Sequence, residues 1–424
     1  GAMAALFLVY VMAGSGLEGV EKLLGGRGVV GLAKVVQKEL LGAEGHVGED
    51  RAVEETARSM AVTLKAGGEY WFAQWTRAAK KGSWMDSNTL GMHRVAVAHE
   101  ALAAHFEQSA SVIPLAAAAL TQLAAQSEGG CEMLRIAGAL HVNVGAVAHV
   151  ISPEREEGYI RRNEATLVFC LETLEHCALH DELRDFLVST FPTLIGLLLK
   201  ASVTPSWSTG ASLGGGPRAQ TSERIRCAAL KAAMNLVAGR FAKRALERVG
   251  THTLVQTCCQ ALTDDYRLRL HDDNCFTSKP HENDAPSPSF DVTVLTLALL
   301  SSTLFQDADT RDAMQACRIV SAGSPTLSAL SVLLLLLQEL PRANFFADGE
   351  SRVAAGYAAV TTGAATVAHR ANAAAIAEGV GATTVGELSV AVEKFGEWQA
   401  TVGVGSDETR EMVRRVAMGL RAGI

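Results

Sequence analysis

The chain has 424 residues, of which 48% are hydrophobic and 20% charged, with a formal net charge of −7. That is enough apolar material for two or three ordinary domains or one long solenoid, and too much for a disordered chain. The slight acidic excess argues against phosphate neutralisation as the main task, and no apolar run, including Leu327 to Leu337, reaches the roughly eighteen residues of a membrane span.

In chain order, Gly1-Ala2-Met3 resembles the remnant of a cleaved tag, and an apolar run follows with no basic segment before it. The expectation is a chain that begins inside a larger protein. Ala4 to Ala13 then runs into Gly14-Ser15-Gly16-Leu17-Glu18-Gly19, a formal GxGxxG. In a dinucleotide-binding fold such glycines let backbone amides approach a pyrophosphate, and Glu39 or Glu44 would take the ribose. Against this, the next hundred residues show no alternation of strands and helices. Ala5, Leu8, Val9 and Met12 also fit one face of a helix ending at glycine. Trp71, Phe72, Trp75 and Trp84 stand among Lys65, Arg77, Lys80 and Lys81, a pattern that suits a helical hairpin better than a base-stacking surface. His99 and His105 are six residues apart, which turns them away from each other on a helix and removes a zinc reading.

Aromatics are only 5% of the residues, Ala and Leu dominate, and apolar positions recur every three or four residues in almost every segment, so the chain reads as nearly all helix. Helices fall in triplets at 112–126, 130–137 and 140–151; at 165–178, 181–189 and 193–200; and at 223–238, 242–249 and 253–262. Two further copies run from 290 through 309–317 to 327–340, and from 351 through 370–378 to 386–400. Within Arg226 to Val237, the residues Ala229, Leu230, Ala233, Leu236 and Val237 form one apolar face. Phe290 to Leu300 begins with period two but continues too long for a strand and is expected to be a buried helix. Triplets at this pitch are the signature of armadillo or HEAT repeats. The predicted fold is all-α, an irregular armadillo/HEAT-like helical solenoid. It has N-terminal repeats at 4–151 and C-terminal repeats at 152–424 in one continuous array. Surface insertions are expected near 203–221 and 271–289, which are rich in Ser, Gly, Pro, Asp and Asn.

Eight cysteines, at 131, 170, 177, 227, 258, 259, 275 and 317, form no CxxC pair and read as small buried hydrophobes in a reducing compartment. Cys258 and Cys259 are adjacent and point to different sides of a helix. His176 and His180 have metal-ligand spacing, but no second cluster answers them, and a polar helix end with Cys177 in the core is the simpler reading. The acidic pairs Asp264-Asp265 and Asp272-Asp273 are expected in loops, solvated or capping. No GxSxG elbow or GxxxxGK loop is present. No catalytic residue, cofactor or metal site is assigned.

Taken in order, Phe290 to Asp312, Leu327 to Leu337, Val353 to Gly363 and Leu388 to Leu420 resemble the C-terminal domain of the Wapl family of cohesin-release factors. That domain is an irregular armadillo/HEAT solenoid ending in a V-E-K-F-like helix and a last amphipathic helix. The resemblance covers Ser222 to Leu420, and Leu6 to Val36 fits the family's early repeats. The chain departs from the family at Leu300 to Leu304, where an asparagine is common, and it lacks the Phe-Gly-Phe motifs of the family's N-terminal tail. The resemblance implies a nuclear, non-enzymatic protein. It would bind cohesin subunits and their HEAT-repeat accessory proteins to promote ring opening, without direct sequence-specific contact with nucleic acid and without a membrane. Two alternatives stay open: a generic armadillo adaptor in transport or the cytoskeleton, and a nucleotide-binding enzyme using Gly14, Gly16 and Gly19.

At the C-terminal end, 409–420 is expected to cap the array. Met412, Val413, Val416 and Leu420 would face inward onto Val390, Val392, Phe395 and Trp398, with Arg410, Arg414, Arg415 and Arg421 outside. The candidate partner-binding residues are Glu393, Lys394, Glu397, Arg410 and Arg414.

Overall fold

Runs of Ala and Leu with helical spacing leave little choice of local structure, and the chain follows them. The structure, a computed structural model, describes residues 73, 76–77, 112–155, 157–203, 217–238, 242–272, 290–319, 326–339, 349–380, 382–402 and 407–421. The GxGxxG segment, the tryptophan cluster, His99, His105 and Cys275 lie outside these residues. Among the described residues, 87% are helical, in seventeen helices, so the protein is all-α as expected. None of those helices is long and apolar enough by itself to cross a membrane. The chain divides into two compact units, Gly1–Leu183 and Arg184–Ile424.

The first unit contains α1 (Val112–Gln126), α2 (Glu128–Ile136), α3 (Ala139–Val150), α4 (Glu157–Arg162) and α5 (Glu164–Cys177). Helix α5 is the hub, with α1, α2, α3 and α4 packed on it. Ser127 caps α2 in an extended conformation, its Oγ accepting from the Gly130 amide at 3.0 Å. Gly138 ends α2 and starts α3: at φ 74 its amide donates to Arg135 O, and its own carbonyl receives the His141 amide. A side chain is rarely tolerated in that left-handed conformation, which explains a glycine between two helices. Helix α4 is an addition to the expected triplets.

Helix α6 (Asp181–Thr190) carries the division between the units. The second unit continues with α7 (Leu194–Ser202), α8 (Pro217–Leu236), α9 (Ala242–Val249), α10 (Thr251–Asp272), α11 (Asp291–Gln306), α12 (Ala308–Ala316), α13 (Ala329–Glu339), α14 (Gly349–Thr366), α15 (Arg370–Val380), α16 (Ala382–Val402) and α17 (Asp407–Arg421). Two expected boundaries are corrected. Helix α8 begins at Pro217, inside the predicted insertion at 203–221, because proline suits the first helical turn where its missing N–H is not needed. Helix α10 runs to Asp272 rather than stopping near 262. The predicted apolar face of α8 is buried throughout, and the buried-helix reading of Phe290 to Leu300 holds in α11. A feature the sequence did not announce is an antiparallel ladder of β1 (Arg318–Ile319) and β2 (Leu327–Ser328), pairing Arg318 with Ser328 and Ile319 with Leu327.

Helices α11 and α14 form the centre of the second unit: α11 packs on α8, α10 and α14, and α14 also packs on α13, α16 and α17. Buried hydroxyls also enter this core. Thr263, Thr296, Thr303, Thr361 and Thr362 each donate to the carbonyl one turn back in their own helix, so they enter the core already satisfied.

Candidate interaction surface

The C-terminal helices are positioned by the small residues of α14. An ideal Cβ built on Gly356 would lie 2.1 Å from Cδ2 of Phe395, so the ring of α16 seats on bare backbone. Gly363 receives Val416 of α17 in the same way, at 2.5 Å from such a Cβ. Phe395 is buried and meets Tyr357 edge to face at 5.1 Å, while Trp398 stacks on it at 5.6 Å. The three rings form a chain from the core to the surface, since Trp398 is 40% exposed.

On α17, Met412, Val413, Val416 and Leu420 are buried as expected, and Val392 and Phe395 are buried opposite them on α16. Two predicted receivers are corrected: Val390 is 48% exposed and Trp398 faces solvent over its stacked partner. At about 100° per residue Val390 stands roughly 200° around the helix from Val392. The inward position is filled instead by Gln399, which is 2% exposed and bonds the Tyr357 side chain. A polar residue in an apolar stripe misdirected the sequence reading. Burial raises the Tyr357 hydroxyl above its ordinary range, against that hydrogen bond.

All five candidate residues lie on this helix pair. Lys394, Glu397, Arg410 and Arg414 are exposed. Glu393 is half-buried and paired with Arg421, tying α16 to α17. Arg414 pairs with Glu411 at 2.8 Å and Arg415 with the same carboxylate at 2.7 Å. Hydrogen bonds from those two guanidinium groups hold the Glu411 carboxyl down to about 2. Val390, Trp398, Val402 and Met418, four of the six large hydrophobics exposed among the described residues, are on α16 and α17. The face therefore offers an aromatic anchor, aliphatic side chains and charges of both signs, the mixture found where proteins meet.

Other polar groups hold helices together. Asp265 is corrected from a solvated loop acid to a buried residue of α10. Arg226 Nη1 lies 3.6 Å from its Oδ1, Thr293 donates to its Oδ2, and Arg226 Nε donates to Ser202 O at 3.0 Å. Four helices meet at that node. The start of α15 is held by His369, whose Nδ1 accepts the Asn372 amide at 3.0 Å while Nε2 meets Asp312 at 2.6 Å. His176 and His180 sit at the end of α5, with His180 Nδ1 3.9 Å from Glu128. The described residues contain no group of three or more His, Cys, Asp or Glu able to hold a metal ion. The seven described cysteines are free and buried. Burial pushes Cys170, Cys227 and Cys258 up to about 12.

No family model and no curated protein matches this sequence. Among solved structures, it is similar to the crystal structure of an engineered protein from a structural genomics consortium. That match has 15% identity, covers 99% of this chain and 95% of the other, and has a TM-score of 0.38. Similarity at that level carries no argument about fold or function.

Proposed function

We propose that this protein is a non-enzymatic interaction scaffold, an irregular armadillo/HEAT-like solenoid that binds protein partners through the outer face of α16 and α17. The observation that carries the reading is Trp398, stacked on Phe395 yet 40% exposed, with exposed Lys394 and Val402 one helical turn away on either side. A preorganised aromatic ring loses little side-chain freedom on binding, which is why tryptophan anchors so many interfaces.

The resemblance of segments from Phe290 to Leu420 to the Wapl C-terminal domain supplies the partner class: cohesin subunits and their HEAT-repeat accessory proteins, in the nucleus. In this role the chain contributes contacts alone, and the ATPase chemistry of ring opening belongs to cohesin. Affinity capture from nuclear extract, quantified by mass spectrometry, tests the reading. Cohesin subunits should be enriched on the parent protein and fall at least tenfold on a Trp398→Ala, Lys394→Glu double variant. Enrichment of transport or tubulin-associated proteins without cohesin would overturn the partner assignment. Micromolar binding of NAD, NADP or ATP that is lost in Gly16→Val would overturn the scaffold reading itself.

A further inference from the structure

Exposed side chains on α16 repeat at one helical turn. Val390, Lys394, Trp398 and Val402 form a single i, i+4 ridge, about 18 Å long, whose order is apolar, cationic, aromatic, apolar. Phe395 stacks on the Trp398 ring at 5.6 Å, and 40% of the tryptophan stays open to solvent. The Lys394 ammonium has no ion pair among the described residues. We propose that this ridge is the interface of a weak, two-fold symmetric homodimer, in which α16 of one copy lies antiparallel on α16 of another and closes the partner-binding face. The proposal rests on the reading of that face as an interaction surface.

The second copy is the occupant because the ridge is complementary to itself. Antiparallel pairing about a two-fold axis at the level of Gly396 sets Lys394 of each copy against Trp398 of the other, and Val390 of each against Val402 of the other. One register therefore makes two cation–π contacts and two aliphatic ones. Ala391 and Thr401, also exposed, come opposite each other in the same register, and their small side chains allow close approach. Parallel pairing would instead set Lys394 against Lys394 and desolvate like charges together. Rows of i, i+4 residues from two helices interlock at a crossing angle of about −50°, the commonest packing of helices, so α16 needs no change of shape to pair.

Four ridge residues and their neighbours are far fewer than the roughly 20–30 per side of a stable complex. The dimer should therefore form only at high local concentration, and a partner that anchors on Trp398 should displace it. Self-association then regulates access to the face.

Sedimentation equilibrium of the full chain from about 10 µM to about 1 mM tests this, since weak association appears only toward the upper end. The average mass should climb from one chain toward two. Lys394→Glu changes an exposed side chain, and its dissociation constant should rise about tenfold or more because two equivalent contacts are lost. Trp398→Lys, which faces lysine with lysine, should stay monomeric. The swapped double variant Lys394→Trp, Trp398→Lys should associate again, because the antiparallel register restores both contacts; circular dichroism checks that the variants keep the parent's helicity. A parent that stays monomeric throughout, unchanged association in Lys394→Glu, or a folded swapped variant as monomeric as Trp398→Lys would each overturn the proposal. A monomeric parent whose capture of nuclear partners still falls in Trp398→Ala would sink self-association alone, whereas a dimer that captures no partner would sink the partner reading alone.

Discussion

The helices α1–α5 of the first unit and α14–α17 of the second solve the same packing problem differently. In the first group, buried hydrogen bonds cross between helices. Thr121 Oγ1 and Thr173 Oγ1 lie 2.9 Å apart, Thr121 also bonds Phe169 O at 2.8 Å, and the Cys170 thiol reaches Asn143. In the second group, shape adds to such bonds: Asn372 Nδ2 of α15 donates to Ala365 O of α14 at 2.9 Å, and Phe395 and Val416 are fitted to glycines of α14. The first group exposes Ile136 and Leu179 at helix ends, whereas α16 and α17 expose four large hydrophobics along their length. Hydrogen-bonded packing is directional and self-contained.

The largest effect should come from breaking the fit. Phe395→Ala removes a ring that contacts Tyr357, Trp398 and the Gly356 backbone, and should cost about 3–5 kcal/mol in denaturant unfolding. A parent-like midpoint would show that the ring chain is not part of the core. Gly356→Ala should cost about 1–3 kcal/mol, because the ring must move to admit a methyl group. Since the two residues touch, the effects should not add: in a Phe395→Leu background the Gly356→Ala penalty should shrink. An unchanged penalty would place the strain elsewhere.

Much of this architecture was legible from periodicity. The helices of each triplet, the buried face of α8 and the inward face of α17 all follow from apolar spacing, since burial of a stripe needs nothing more than its period. The illegible parts are those where a polar residue does an apolar residue's work. Asp265 looks like a solvated acid until Arg226 and Thr293, distant in sequence, meet it in the core. Gln399 occupies an inward position where the Tyr357 hydroxyl oxygen accepts its hydrogen bond. Of the five candidate surface residues, exposure was legible for Lys394, Glu397, Arg410 and Arg414, but the Glu393–Arg421 pair was not, since one helical period does not say which charges face each other across two helices.

The first group should respond more mildly to loss of a single bond. Thr121→Val keeps the volume and removes the hydroxyl shared with Thr173 and Phe169, for a cost of about 1 kcal/mol. A cost near that of Phe395→Ala would erase the contrast between the two regions. Trp398→Ala should be milder still in stability, because the ring is already partly in water, while its loss should be read chiefly in partner capture.

The smallest expected effect concerns the charges of α17. Glu411 accepts from Arg414 Nε at 2.8 Å and Nη2 at 2.9 Å and from Arg415 Nε at 2.7 Å. Its carboxyl is therefore displaced from an ordinary 4.5 to about 2. A carboxyl with a lowered folded-state pKa favours the fold above its ordinary value, and the contribution fades as pH falls from about 4.5 toward 2. Both partners are solvated, with 65% of Arg414 and 38% of Glu411 side-chain surface exposed, so salt screens the pair and melting temperature should barely change over that window. The charge state itself should still report the geometry. By NMR, the Glu411 side-chain carboxyl should titrate near 2 at low salt and move back toward 4.5 in Arg415→Gln. A midpoint at the ordinary value in the parent protein would mean that the two arginines do not converge on Glu411. They would then stand apart from it on the outer face, and an acidic partner could reach them without first competing with a carboxylate of the protein's own.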